Sequence, residues 1–106
     1  MEQDFVDVWG EDELGEGEIH MVEWAGEPVL LARVGGRIHA VGGLCPHEDA
    51  PMDKGYIKEG CLHCPLHGSY FDLETGAVQA DPAEEDIAVH AVRREHGRIL
   101  VGPPID

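Results

Sequence analysis

A chain of 106 residues is long enough to close one hydrophobic core and too short for a second module beside it. With 42% hydrophobic and 27% charged residues it has a folded rather than disordered composition, and 14 glycines with 7 prolines favour short strands and turns over long helices. Seven basic against 22 acidic residues give a formal net charge of −15, which repels nucleic acid and suits either a basic protein partner or solubility alone.

Residues 4–9 (DFVDVW) and 18–24 (EIHMVEW) have the β-branched and aromatic content of strands, with an acidic loop or single helical turn between them. EPVLLARV and RIHAVG are strand-like and joined by Gly35-Gly36, a two-residue hairpin signal. CLHC, residues 61–64, is a short strand between two loops. SYFDLETGAVQA predicts strand, turn at 74–76 and second strand, and DIAVHAVRREHGRILVG predicts a last hairpin turning near His96-Gly97. No segment keeps a 3.6-residue apolar period over three turns, so the expected fold is all-β, with antiparallel sheets packed as a sandwich or barrel. The acidic start and the absence of any apolar run near the roughly 20 residues that span a bilayer predict a cytoplasmic protein with no membrane association.

The chemistry is concentrated in CPHEDAPMDKGYIKEGCLHCPLHGS, residues 45–69. Three cysteines within 20 residues do not make a disulfide framework, and a metal would tie together two long loops in so small a domain. Cys45-Pro46-His47 and Cys64-Pro65-Leu66-His67 each offer a thiolate and an imidazole, with sixteen residues between the pairs. Gly43 before the first pair and Gly68 after the second let the backbone turn tightly there. Zinc accepts two Cys and two His, but its modules usually pair like ligands. The interleaved order here suits two irons, one taking both cysteines and the other both histidines.

With its Cys-x-His, sixteen residues, Cys-x-x-His and following Gly-Ser, the chain resembles the Rieske-type [2Fe–2S] ferredoxins that serve bacterial aromatic-ring dioxygenases. GGLCPH, CPLHGSYFDLETGAV and the overall length extend the likeness. The resemblance implies a single Rieske domain over residues 1–106, with cluster-binding loops at about 43–53 and 64–71. It implies one [2Fe–2S] cluster, with Cys45 and Cys64 on one iron and His47 and His67 on the other, and Ser69, Leu66 and Pro65 around them. It implies an electron carrier rather than an enzyme, a monomer taking single electrons from an NAD(P)H-dependent flavoprotein reductase to a Rieske-type terminal oxygenase. Both partners would dock transiently at the His-ligand end, inside an apolar rim of Pro46, Pro51, Met52, Pro65 and Leu66.

High-potential members of that family carry a disulfide between the two loops and a Tyr that donates a hydrogen bond toward the cluster sulfurs. Here Ala50 and Leu66 stand at the disulfide positions and Phe71 at the Tyr position, while Ser69 keeps a second donor. Fewer hydrogen bonds to sulfur, with Glu48, Asp49 and Asp53 close by in sequence, place the expected potential at the lower end of the roughly −150 to +300 mV Rieske range. Two alternatives remain: a small subunit of a larger redox enzyme of nitrite-reductase-like or arsenite-oxidase-like kind, and a zinc-stabilised interaction module. Cys61 is expected to be a buried structural thiol and His63 a structural neighbour of the site. His20, His39, His90 and His96 are expected at the surface or half-buried, and Trp9 and Trp24 in the core.

Overall fold

Four apolar residues in a row, Val29-Leu30-Leu31-Ala32, break the alternation of a half-exposed strand and call for burial on both faces. All four are inaccessible to solvent in the computed structural model, which describes residues 5–45, 50–65, 69–79 and 85–105. Its strands are β1 (Val6–Gly10), β2 (Ile19–Trp24), β3 (Glu27–Val34), β4 (Arg37–Gly42), β5 (Leu44–Cys45), β6 (Ala50–Pro51), β7 (Tyr56–Lys58), β8 (Cys61–His63), β9 (Tyr70–Asp72), β10 (Val89–Glu95) and β11 (Arg98–Ile105). Single 3-10 turns at Glu11–Glu13 and Met52–Lys54 are the helical elements among the described residues, and none there is long and apolar enough to cross a membrane.

Six strands form one antiparallel sheet in the order β1-β11-β10-β4-β3-β2, whose two end strands come alongside each other, so that the sheet nearly closes into a barrel. The β3–β4 hairpin turns at Gly35 and Gly36, with φ of +60° and +79°, the left-handed conformation that a two-residue loop of this kind requires. One face of β3 and β4 supplies Val29, Leu31 and Ala40 to a core with Leu14, Ile99 and Val101, against which Trp9 and Trp24 pack, partly buried. The opposite face supplies Leu30, Ala32 and Val41 to a second core. There they meet Cys45, Met52, Leu62, Cys64, Phe71 and Leu73, all from the two small sheets and their connections.

Three sequence expectations need correction. The Cys/His region is not merely two loops, because β5–β6 and the β7–β8–β9 sheet run through it. Each strand is too short to show a period, with one inward residue in each of β7, β8 and β9: Ile57, Leu62 and Phe71 in cross-strand register. The second half of SYFDLETGAVQA is not a full strand: after a turn in which the Asp72 carboxylate accepts from the Glu74 and Thr75 amides at 2.7 and 3.2 Å, it returns beside β9 for the single bridge Phe71 to Val78, flanked by Asp72 N–H to Ala77 and Gln79 N–H to Tyr70 hydrogen bonds. His90 is buried, its Nδ1 2.8 Å from the Gly102 carbonyl oxygen and its ring edge-on to Trp24.

His39 on β4 joins the barrel to the small sheets. Burial is the largest cause holding its pKa below the ordinary 6.5, Arg37 adds to it, and Glu74, the Leu73 backbone and Asp72 oppose it. The folded chain therefore binds this proton less readily than the unfolded chain. His39 costs nothing above pH 6.5 and removes stability as pH falls through 6.5 toward its lower folded value. The variant His39→Gln should lose less melting temperature than wild type between pH 7.5 and 5, as followed by circular dichroism. Parallel pH profiles would contradict this.

Candidate metal centre

Each of the two motifs starts from a cysteine at the mouth of a pinned loop. Cys45 ends β5 and pairs with Ala50 of β6, while the Met52 amide donates to the Gly43 carbonyl at 2.9 Å. Cys64 follows β8, and its amide donates to the Ser69 carbonyl at 2.7 Å. The two segments that carry His47 and His67 are thus clamped at their bases by antiparallel backbone pairing. His47, His67, Pro46, Leu66, Gly68, Glu48 and Asp49 lie outside the described residues, as does the Ala50 side chain.

Cys45 and Cys64 are 1% and 3% exposed, share one core cluster, and are not disulfide-bonded. Their neighbours there are apolar: Leu30, Met52, Leu62, Phe71 and Leu73. Two thiols brought together in an apolar core, each beginning a loop that holds a histidine in sequence, are the donor set that a two-iron, two-sulfide centre takes. The residues present fit that group. Ser69 is fully buried beside Cys64's loop, and Pro65 is exposed. Among the described residues alone, no group of three or more His, Cys, Asp or Glu side chains comes together.

The apolar rim is only partly as the sequence reading has it. Pro51 and Pro65 are exposed, but Met52 is fully buried, because the 3-10 turn at Met52–Lys54 directs it into the core against the cysteines. Gly43 has a different role too. A Cβ there would lie 2.5 Å from the Met21 sulfur and 3.1 Å from the Pro28 carbonyl carbon, so its small size lets β5 pass close over the barrel. Phe71 is fully buried between the sheets and offers no hydroxyl.

Cys61 is half-buried rather than buried, on the outer face of β8 between Lys58 and Asp72. Desolvation first, then the carboxylates of Asp72 and Glu59, push its thiol pKa up. Beside it, in the register next to Cys64, the rings of Tyr56, His63 and Tyr70 stack across the three strands. This row is not among the expectations drawn from the sequence. Its signal is Glu59-Gly60, whose φ values of +53° and +78° make the β7–β8 hairpin and bring Tyr56 opposite His63.

The Cys61 thiol should alkylate with iodoacetamide at pH 7.5 several-fold more slowly than an unhindered cysteine, and speed up markedly above pH 9. A rate equal to that of a free thiol at pH 7.5 would contradict the raised pKa.

The family model of the Rieske [2Fe–2S] domain matches residues 4–91. The ferredoxin component of the naphthalene 1,2-dioxygenase/salicylate 5-hydroxylase systems of Ralstonia sp. is 33% identical over 95% of this chain and 97% of its own. The ferredoxin of carbazole 1,9a-dioxygenase from Nocardioides aromaticivorans IC177 superposes with a TM-score of 0.88 at 33% identity, covering 93% of this chain and 97% of that one. A chain from the complex of reduced oxygenase and oxidised ferredoxin in carbazole 1,9a-dioxygenase also gives 0.88, at 27% identity over 94% of each chain.

Proposed function

This chain belongs to the Rieske [2Fe–2S] family, and on that premise we propose that it carries one electron at a time from an NAD(P)H-dependent flavoprotein reductase to the Rieske-type terminal oxygenase of an aromatic-ring dioxygenase system. Relatives that it matches over nearly their whole length are ferredoxin components of dioxygenase systems, so the protein is an electron carrier and not a catalytic enzyme. It has one Rieske-type [2Fe–2S] cluster as cofactor, which supplies reversible one-electron redox chemistry. The observation that carries the reading is the pair of buried, apolar-walled cysteines, each at the clamped mouth of a loop with a histidine in sequence.

In this reading Cys45 and Cys64 hold one iron, and His47 and His67 hold the other. The clamped loop bases keep the four donors in place without a disulfide, as Ala50 and Leu66 require. The buried Ser69 is the neighbouring hydroxyl, and Phe71 supplies none, which favours a potential at the low end of the family range. We take residues 1–106 as a single domain with cluster loops at about 43–53 and 64–71. The carrier acts in the cytoplasm as a monomer that docks transiently with both partners.

The partner test uses the chemically reduced protein mixed with the oxygenase component of carbazole 1,9a-dioxygenase in a stopped-flow spectrometer. Reoxidation of this chain with matching reduction of the oxygenase is expected, at a rate that falls as salt rises because the −15 charge speeds encounter. No electron transfer would overturn the partner assignment, and a salt-independent rate would leave the charge to solubility. The ligand test uses His47→Cys and His67→Cys, each expected to lower the potential or lose the cluster. An unchanged potential and spectrum in both would refute the assignment.

A further inference from the structure

We propose that Gly55 is the positioning residue that sets the spacing between the two cysteine-bearing loops, at the far end of a backbone strut running from Gly43 through Met52 to His63. The inference rests on the cluster reading above and adds what holds Cys45 and Cys64 at one separation. The strut has three contacts. The Met52 amide donates to the Gly43 carbonyl at 2.9 Å, and the Gly55 amide donates to the Met52 carbonyl at 3.0 Å, closing the 3-10 turn. Gly55 then packs against the His63 carbonyl. Gly43 lies two residues before Cys45 and His63 one residue before Cys64, so the strut joins the bases of both motifs. Its first end is anchored in turn, because the Gly43 amide donates to the Pro28 carbonyl on β3 at 3.1 Å.

Space, not conformation, requires glycine at 55. Its φ of −82° and ψ of −158° are extended and open to any residue. A Cβ there would fall onto the His63 carbonyl oxygen and lie 3.2 Å from both the His63 carbonyl carbon and the Met52 carbonyl oxygen. All three atoms are backbone, so no rotamer change relieves the contact. Either β8 moves away and carries Cys64 with it, or the 52–54 turn moves and takes Met52, which is buried in one core with both cysteines. Each route separates the two loops, and Ala50 and Leu66 leave no disulfide to oppose it. Separation also has an electrostatic consequence. Two ferric ions, two sulfides, two thiolates and two neutral imidazoles sum to zero charge, and one added electron makes the sum negative. Burial penalises that charge, so water admitted beside the cysteines, now closed to solvent, raises the potential.

The competing account makes Gly55 an ordinary tight corner, needed for folding alone. Gly76 supplies the matched control. A Cβ there would likewise fall onto a backbone carbonyl oxygen, that of Ile87, but this contact joins the turn after β9 to Ile87 and not one cysteine loop to the other. Redox titration, reduced-state EPR and chelator challenge are run on cluster-loaded wild type, Gly55→Ala and Gly76→Ala, with the melting temperature of each. Gly55→Ala should favour the reduced state about tenfold more than wild type, roughly 60 mV for one electron. It should also shift the EPR g values and lose its visible absorbance to the chelator several-fold faster. Gly76→Ala should lower the melting temperature and leave potential and g values where they are. Unchanged potential and g values in Gly55→Ala, or equal shifts in both variants, overturn the proposal. Should either variant take up no cluster, hydrogen exchange in the loaded wild type decides. Met52 and Gly55 amides that exchange as slowly as the paired amides of β8 support the strut, and exchange at the rate of an exposed turn overturns it. A wild type without iron and labile sulfide removes the cluster reading itself, and this inference with it.

Discussion

Strands β3 and β4 are a wall with a hydrophobic core on each side, and the other parts are positioned against it. Val29 and Leu31 face the barrel interior, while Leu30, Ala32 and Val41 face the small sheets that carry the cysteines. Each leucine buried in this way stabilises the fold by roughly 1.5–3 kcal/mol, and here the same strand serves both cores. The register of the wall is therefore doubly constrained. A slip of one residue would exchange the side chains offered to the two cores, and the Gly35-Gly36 turn fixes the pairing from Leu31–Ala40 to Val34–Arg37. Cys45 and Cys64 lie on this surface with Met52, Leu62 and Phe71, so a centre held by these cysteines would be built against the barrel wall rather than hung from its end.

That arrangement gives the centre two environments. On the cysteine side the packing contacts are apolar and closed to solvent, which holds the thiols in one place. On the outer side of β7–β8–β9 the residues are aromatic and charged, and Tyr56 is open to solvent. For a carrier, a rigid inner shell means that little reorganises when the charge changes.

The barrel strands were legible because each is long enough to show its composition, and the Gly-Gly and His-Gly turns were legible because left-handed backbone selects such residues. Four donors were expected, from the Cys-x-His and Cys-x-x-His pairs together with the family resemblance. Two of them, the cysteines, are found together in one core, and the two histidines lie outside the described residues. The short strands of the site were not legible, since two or three residues carry no period and their inward positions emerge only from pairing. Cys61 was misplaced for a related reason. It stands one residue from the buried Leu62, and in a three-residue strand only the register with Lys58 and Asp72 tells which face it takes. Met52 was expected in the apolar rim around the histidines, but one 3-10 turn is enough to carry it inside.

The central claim is that two sulfur and two nitrogen donors from this chain hold one iron–sulfur cluster. Pulsed EPR on the dithionite-reduced protein, grown once with natural-abundance histidine and once with 15N-histidine, addresses the donors directly. The account predicts hyperfine couplings to two directly bound histidine nitrogens that change with the isotope. A reduced cluster with no histidine nitrogen coupling, or a protein that binds zinc and gives no signal, would contradict it.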